Sequence, residues 1–87
     1  MERGLVIMPT YNEAENIERI IPEVLSQSPK LDVLVIDDNS PDGTGDIVER
    51  MRGGDSHIQL IRRPGKLGLG TAYVLGFRYA LEHGYDF

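Results

Sequence analysis

The stretch VLVIDDNSPDGT, residues 33–44, runs an apolar segment straight into two adjacent carboxylates and a turn. Neighbouring aspartates repel one another and lose solvation when buried, so something at that point must compensate them. An ionised carboxylate is an acceptor-only group, suited to N–H and O–H donors of a ligand or of a nearby loop. Side chains alternate along an extended backbone, which sends Asp37 and Asp38 to opposite faces and puts Asp38 on the side of Ile36. Only one of the pair can then face a given ligand. The expectation is that Asp38 does so, while Asp37 accepts N–H groups from the adjoining loop or turn.

Two further stretches carry groups of this kind. In PTYNEAEN (9–16), Tyr11 offers a ring for stacking on a planar base, or for local packing. Glu13 offers an acceptor for ribose or base hydrogens, or a negative charge at the positive end of a helix. RRPGKLGLG (62–70) sets Arg62, Arg63 and Lys66 in a glycine-rich loop. Such a loop can hold phosphate with the help of a helix N-terminus, or can be a solvated basic turn. It is not a P-loop, which needs Gly-x-x-x-x-Gly-Lys followed by Ser or Thr. Nor is it the dinucleotide fingerprint, which follows the first strand, where this chain has PTYNE. GTGDIV (43–48) matches only the first two glycines of that fingerprint. His57 and His83 have no partner in sequence and read as surface residues.

The elements that must position these groups follow from apolar spacing. GLVIM (4–8) reads as a buried strand bounded by Pro9. In AENIERIIPEVLSQ (14–27), Ile17, Ile20, Ile21, Val24 and Leu25 fall on one face of a helix. Asn12 as N-cap and Glu15 three residues later form a capping box worth roughly 1 kcal/mol. Glu13 then takes the first helical position. Pro22 kinks or tightens the middle of this helix, but the apolar stripe continues past it, so it is one element. LDVLVI (31–36) is a second strand. Ile47, Val48 and Met51 mark a second helix ended by Gly53 and Gly54. IQLI (58–61) is a third strand. Ala72, Leu75, Gly76, Tyr79 and Ala80 make the stripe of a third helix, Gly84 sits at its cap, and YDF (85–87) begins a fourth strand. The order β-α-β-α-β-α-β is that of a parallel α/β sheet with right-handed crossovers. All three polar loops then fall at the carboxyl ends of the strands, where open parallel sheets bind ligands. Loops of this kind also lie on the surface for purely geometric reasons.

Bulk properties narrow the partners. With 87 residues, the chain is one domain or a piece of one, expected to be the N-terminal part of a larger chain. Its 40% hydrophobic content excludes a disordered chain, and no apolar run approaches the roughly 20 residues of a membrane span. The formal charge of −5, without a basic run, argues against non-specific nucleic-acid binding. There is no cysteine, hence no disulfide or thiolate metal site, and a cytoplasmic setting is the default.

Taken together, VIMPTYNEAENI, VLVIDDNSPDGT and RRPGKLGLGTAYVLGF resemble the nucleotide-sugar domain of inverting family-two glycosyltransferases, of the dolichyl-phosphate or polyprenyl-phosphate mannosyltransferase type. The resemblance covers essentially the whole chain, residues 1–87. It implies a Rossmann-like parallel sheet forming the N-terminal half of a GT-A-type domain, with a GDP-mannose donor and a lipid-phosphate acceptor. Pro9, Tyr11, Glu13, Ile36 and Asp38 match family positions around the nucleoside, and Lys66 matches a basic loop position. The family's Asp-x-Asp segment, which holds a divalent metal (magnesium or manganese) on the donor diphosphate, would lie beyond Phe87. Asp86 belongs to the strand start, not to that motif. No catalytic residue is assigned, and this 87-residue chain alone is expected to be inactive. The resemblance implies an intact protein working in the cytoplasm or at the cytoplasmic face of a membrane. Two other readings stand beside it. One is a nucleotide-binding module without catalysis. The other is a response-regulator receiver, which VLVIDDNSP resembles, but a receiver carries its acidic pair after its first strand and a later lysine that is missing here.

Overall fold

Strand β2 (Leu31–Asp37) is buried at every position after Leu31. Its apolar residues do not alternate with polar ones because both faces are covered, as in the centre of a parallel sheet. The computed structural model describes residues 2–65 and 67–87. In it, β2 lies between β1 (Gly4–Thr10) and β3 (Ile58–Arg62), parallel to both. Three helices connect and follow the strands: α1 (Ile17–Leu25), α2 (Thr44–Gly54) and α3 (Leu69–Glu82).

The alternation along β2 divides the core. Val33 and Val35 pack with Ile17 and Ile21 of α1, Val48 of α2 and Ile58. Leu34 and Ile36 point the other way, to Leu5 and to Ala72 of α3. Each fully buried Ile, Leu or Val removed from water contributes about 1.5–3 kcal/mol. Helix α3 approaches the sheet closely at Gly76, where a Cβ atom would lie 2.7 Å from the Ile7 side chain. Its outer face carries Tyr73, Val74, Phe77 and Leu81, all exposed.

Helices α1 and α2 therefore lie on one face and α3 on the other, the doubly wound arrangement. After α3 the chain returns beside β1. Asp86 N–H donates to the Arg3 carbonyl at 2.8 Å, and Leu5 N–H donates to the Phe87 carbonyl at 2.8 Å. The direction of winding thus reverses at β1. The expected fourth strand is not formed as a strand: 85–87 makes these bonds without a regular ladder, and the described residues contain three strands.

At the amino ends of the strands, buried Asp32 gathers donors from three directions. It accepts from Arg3, from the Tyr85 hydroxyl at 2.5 Å, and pairs with His57 Nδ1 at 2.7 Å. Burial, followed by the bond to Asp32, raises the Tyr85 hydroxyl above its ordinary pKa. His57 is exposed, as expected of a surface residue, but its ring has a partner in Asp32. His83 is exposed, with its ring stacked on Tyr79 at 3.9 Å.

Candidate ligand site at the carboxyl ends of the strands

The start of α1 differs from the expected capping box. Helix α1 begins at Ile17, with Asn16 as its N-cap residue and no side-chain cap bond. Asn12 instead takes a left-handed conformation with φ 59°. The N–H groups of the turn before the helix are satisfied by the β2–α2 loop. Ser40 Oγ accepts from Asn12 N–H at 3.0 Å, Thr44 Oγ1 from Glu13 N–H at 2.9 Å, and Asp42 Oδ2 from Ala14 N–H at 3.0 Å. Glu13 is thus not the first helical residue; its carbonyl accepts from Ile17 N–H at 2.9 Å, one turn ahead of the helix. The bond from the Thr44 hydroxyl and those from backbone N–H groups hold the Asp42 carboxyl below its ordinary pKa.

The two adjacent aspartates separate as alternation requires. Asp37 is buried and ties loops together: its carboxylate accepts from Thr10 Oγ1 at 2.7 Å, Ser40 N–H at 3.0 Å and Ser40 Oγ at 2.6 Å. Asp38 continues the face of Leu34 and Ile36. It is 8% exposed, and Arg63 grips it from the neighbouring strand end, Nε to Oδ1 at 2.5 Å and an NH2 group to Oδ2 at 2.8 Å. Leu67 N–H also donates to Oδ2, at 3.3 Å. The conflict between two adjacent carboxylates is resolved by giving each its own donors on its own face.

Above this pair lies a cleft of about 290 Å³ lined by Pro9, Thr10, Tyr11, Glu13, Asp38, Gly68 and Leu69. It sits at the carboxyl end of β1, where the winding reverses, which is the place open α/β sheets offer to ligands. Tyr11, one of the lining residues, is 39% exposed. Gly68 adopts φ +95°, a conformation that favours glycine, and its carbonyl accepts from Arg63 at 3.3 Å. A larger hollow of about 540 Å³ lies between α1 and α2, lined mainly by Ile21, Pro22, Leu25, Met51 and Ile58. Its polar lining side chains, Ser26 and Asp55, are bonded to local backbone, to the Glu23 carbonyl and the His57 N–H, so the smaller cleft is the better chemical candidate.

Of the candidate residues from the sequence, the fold brings Pro9, Tyr11, Glu13 and Asp38 into this cleft. Ile36 is not among the lining residues: its side chain is fully buried with Leu5, Leu34 and Ala72, beneath Asp38. Lys66 lies outside the described residues. Thr10, Gly68 and Leu69 line the cleft without having been singled out as site residues. Arg63, read as one cation among three, is instead the buried partner of Asp38. The signal was register: Asp37 pairs with Arg62 across β2 and β3, so the next residues, Asp38 and Arg63, are neighbours too.

Fold and cleft together define a Rossmann-like parallel α/β unit with a cleft at its topological switch point, where such sheets bind ligands. The chain belongs to glycosyl transferase family 2, whose family model matches residues 5–83. It is 46% identical over 84 residues to the undecaprenyl-phosphate mannosyltransferase of Micrococcus luteus, covering 97% of this chain and 35% of that protein. It is 44% identical over 86 residues to the polyprenol monophosphomannose synthase of Mycolicibacterium smegmatis, covering 98% of this chain and 32% of that protein. Among solved structures it is similar to the mannosyltransferase PcManGT from Pyrobaculum calidifontis in complex with GDP-Man and Mn2+. That match has 34% identity and a TM-score of 0.79, over 90% of this chain and 24% of the other. The chain therefore spans about a third or less of the length of these relatives.

Proposed function

We propose that the cleft binds the nucleotide of a sugar donor, GDP-mannose, and that the chain is the donor-binding part of an inverting glycosyltransferase acting on a polyprenyl phosphate. The observation that carries this reading is the convergence of Pro9, Tyr11, Glu13 and Asp38 in one cleft at the switch point. The names of the mannosyltransferase relatives supply the sugar and the lipid phosphate, and the GDP-Man of the similar structure supplies the base.

The chemistry of the lining suits a nucleoside. The Tyr11 ring offers a stacking surface for the base. Glu13 accepts from N–H or O–H donors, which selects for groups such as the N–H edge of guanine or a ribose hydroxyl. The acceptor's phosphate oxygen is already anionic and needs little help from a general base. It attacks the anomeric carbon from the face opposite the leaving nucleotide, which inverts the configuration.

A divalent metal, magnesium or manganese, would supply charge neutralisation of the leaving diphosphate. The donor set of the cleft does not fit one. Its carboxylates are Glu13 and Asp38, and Asp38 is already paired with Arg63. Among the described residues no group of three or more His, Cys, Asp or Glu side chains could hold such an ion. We assign its ligands to residues other than those that line this cleft. No helix among the described residues is long and apolar enough to cross a membrane. We propose that the intact protein works at the cytoplasmic face of a membrane, where a nucleotide sugar and a lipid phosphate meet.

Amide chemical-shift mapping with GDP tests the site. Shifts confined to residues 10–13, 38 and 67–69 are expected. Shifts confined to the hollow around Met51, or none, would contradict the reading.

A further inference from the structure

Arg63 sits among ligand-facing groups yet directs its donors inward. Only 8% of it is exposed. Nε and one NH2 group form a fork on both oxygens of Asp38, at 2.5 and 2.8 Å. The other terminal nitrogen donates to Thr71 Oγ1 at 2.9 Å, and the first reaches the Gly68 carbonyl at 3.3 Å. One side chain thereby joins the end of β2, the loop before α3 and the first turn of α3. These segments carry Asp38, Gly68 and Leu69, the wall of the cleft facing Tyr11 and Glu13.

We infer that Arg63 is a positioning residue for nucleotide recognition: it sets the Asp38 carboxylate and the Gly68–Leu69 edge, and does not serve as a phosphate ligand. The inference rests on the nucleotide reading above. Its physical basis is the geometry of the fork. A bidentate guanidinium–carboxylate pair fixes the plane of both groups, which a point charge cannot do. The pairing also neutralises a carboxylate that would otherwise repel an anionic ligand at the mouth of the cleft.

The test is calorimetric titration of both GDP and guanosine into the wild-type chain and into Arg63→Lys, with thermal unfolding measured alongside. Lysine keeps the charge but not the fork. Affinity for the folded variant should fall about tenfold or more, and by the same factor for guanosine as for GDP, because the wall that moves is on the nucleoside side. A loss seen with GDP alone would make Arg63 a phosphate ligand and overturn the inference. So would wild-type affinity in a folded Arg63→Lys chain, whatever its melting temperature. If Arg63→Lys does not fold, Thr71→Val decides: it removes one of Arg63's tethers, a several-fold loss for both ligands is expected, and unchanged affinity overturns the proposal. Failure of the wild-type chain to bind GDP would instead remove the reading of the cleft, and this inference with it.

Discussion

Thr44 Oγ1 accepts the backbone N–H of Glu13 at 2.9 Å, across 31 positions of sequence. Thr44 is fully buried, and its hydroxyl donates in turn to Asp42 Oδ1 at 2.5 Å. The β2–α2 loop thus sets the backbone of a cleft residue that belongs to the β1–α1 loop. Thr44→Val keeps the shape and deletes the acceptor. We expect a loss of about 1–3 kcal/mol in chemical unfolding, the cost of an unsatisfied buried donor. Wild-type stability would mean that water replaces the hydroxyl at Glu13.

The Asp38–Arg63 pair makes a sharper prediction about stability. Removing one partner of a buried ion pair costs about 3–5 kcal/mol, because it strands the other charge. Against a total of about 5–15 kcal/mol for a folded domain, that is a large share. Asp38→Ala should therefore unfold at markedly lower denaturant. Adding Arg63→Met should recover most of the loss without restoring nucleotide binding. If the double variant is no more stable than Asp38→Ala, the pair is not what Arg63 is buried for.

Asp42 gives a pH dependence of known sign. Its carboxyl is held below its ordinary value by the Thr44 hydroxyl and by backbone N–H groups, including that of Ala14. A depressed folded pKa means that the ionised form is favoured by folding. Its contribution is complete above the unfolded value of 3.8 and is lost as pH falls through the lower folded value. Asp42→Asn should be less stable than wild type near neutral pH, and the gap should close as pH falls below 3.8 and through the lower folded value. Unfolding curves of both chains across that range check this; a gap that widens in acid would contradict it.

Gly76 tests how closely α3 lies on β1. A Cβ atom there would stand 2.7 Å from Ile7. Gly76→Ala should cost about 1–3 kcal/mol through overpacking, despite alanine's better helix propensity. Pairing it with Ile7→Val should return part of that cost. A stabilised Gly76→Ala chain would show that α3 can move away from the sheet.

The elements were legible because their apolar residues repeat with clear periods. Three strands and three helices fall where the spacing of Val33–Ile36, Ile17–Leu25 and Ala72–Ala80 puts them. The opposite facing of Asp37 and Asp38 was legible for the same reason, since alternation is a local rule. Features that depend on distant partners were not. Asn12 is a plausible cap by type, but the acceptors for residues 12–14 come from Ser40, Asp42 and Thr44, which no local pattern reveals. Arg63 looks like a solvated cation until the β2–β3 register sets it against Asp38. His57 is a surface residue, as its position suggests, but its partner Asp32 shows only when the amino end of β3 is laid beside β2. Ile36 shares a face with Asp38, yet it stops in the core because the cleft opens above it.

Recognition of a guanine nucleotide by the cleft beside Tyr11 is what we propose for this chain. The test is calorimetric titration of GDP and UDP into the wild-type chain and into Tyr11→Ala, with the fold of the variant checked by thermal unfolding. GDP should bind more tightly than UDP, and Tyr11→Ala should weaken GDP binding by about tenfold or more, as for removal of a stacked aromatic anchor. Equal affinity for the two nucleotides, or a Tyr11→Ala chain that binds GDP as well as wild type does, would contradict it.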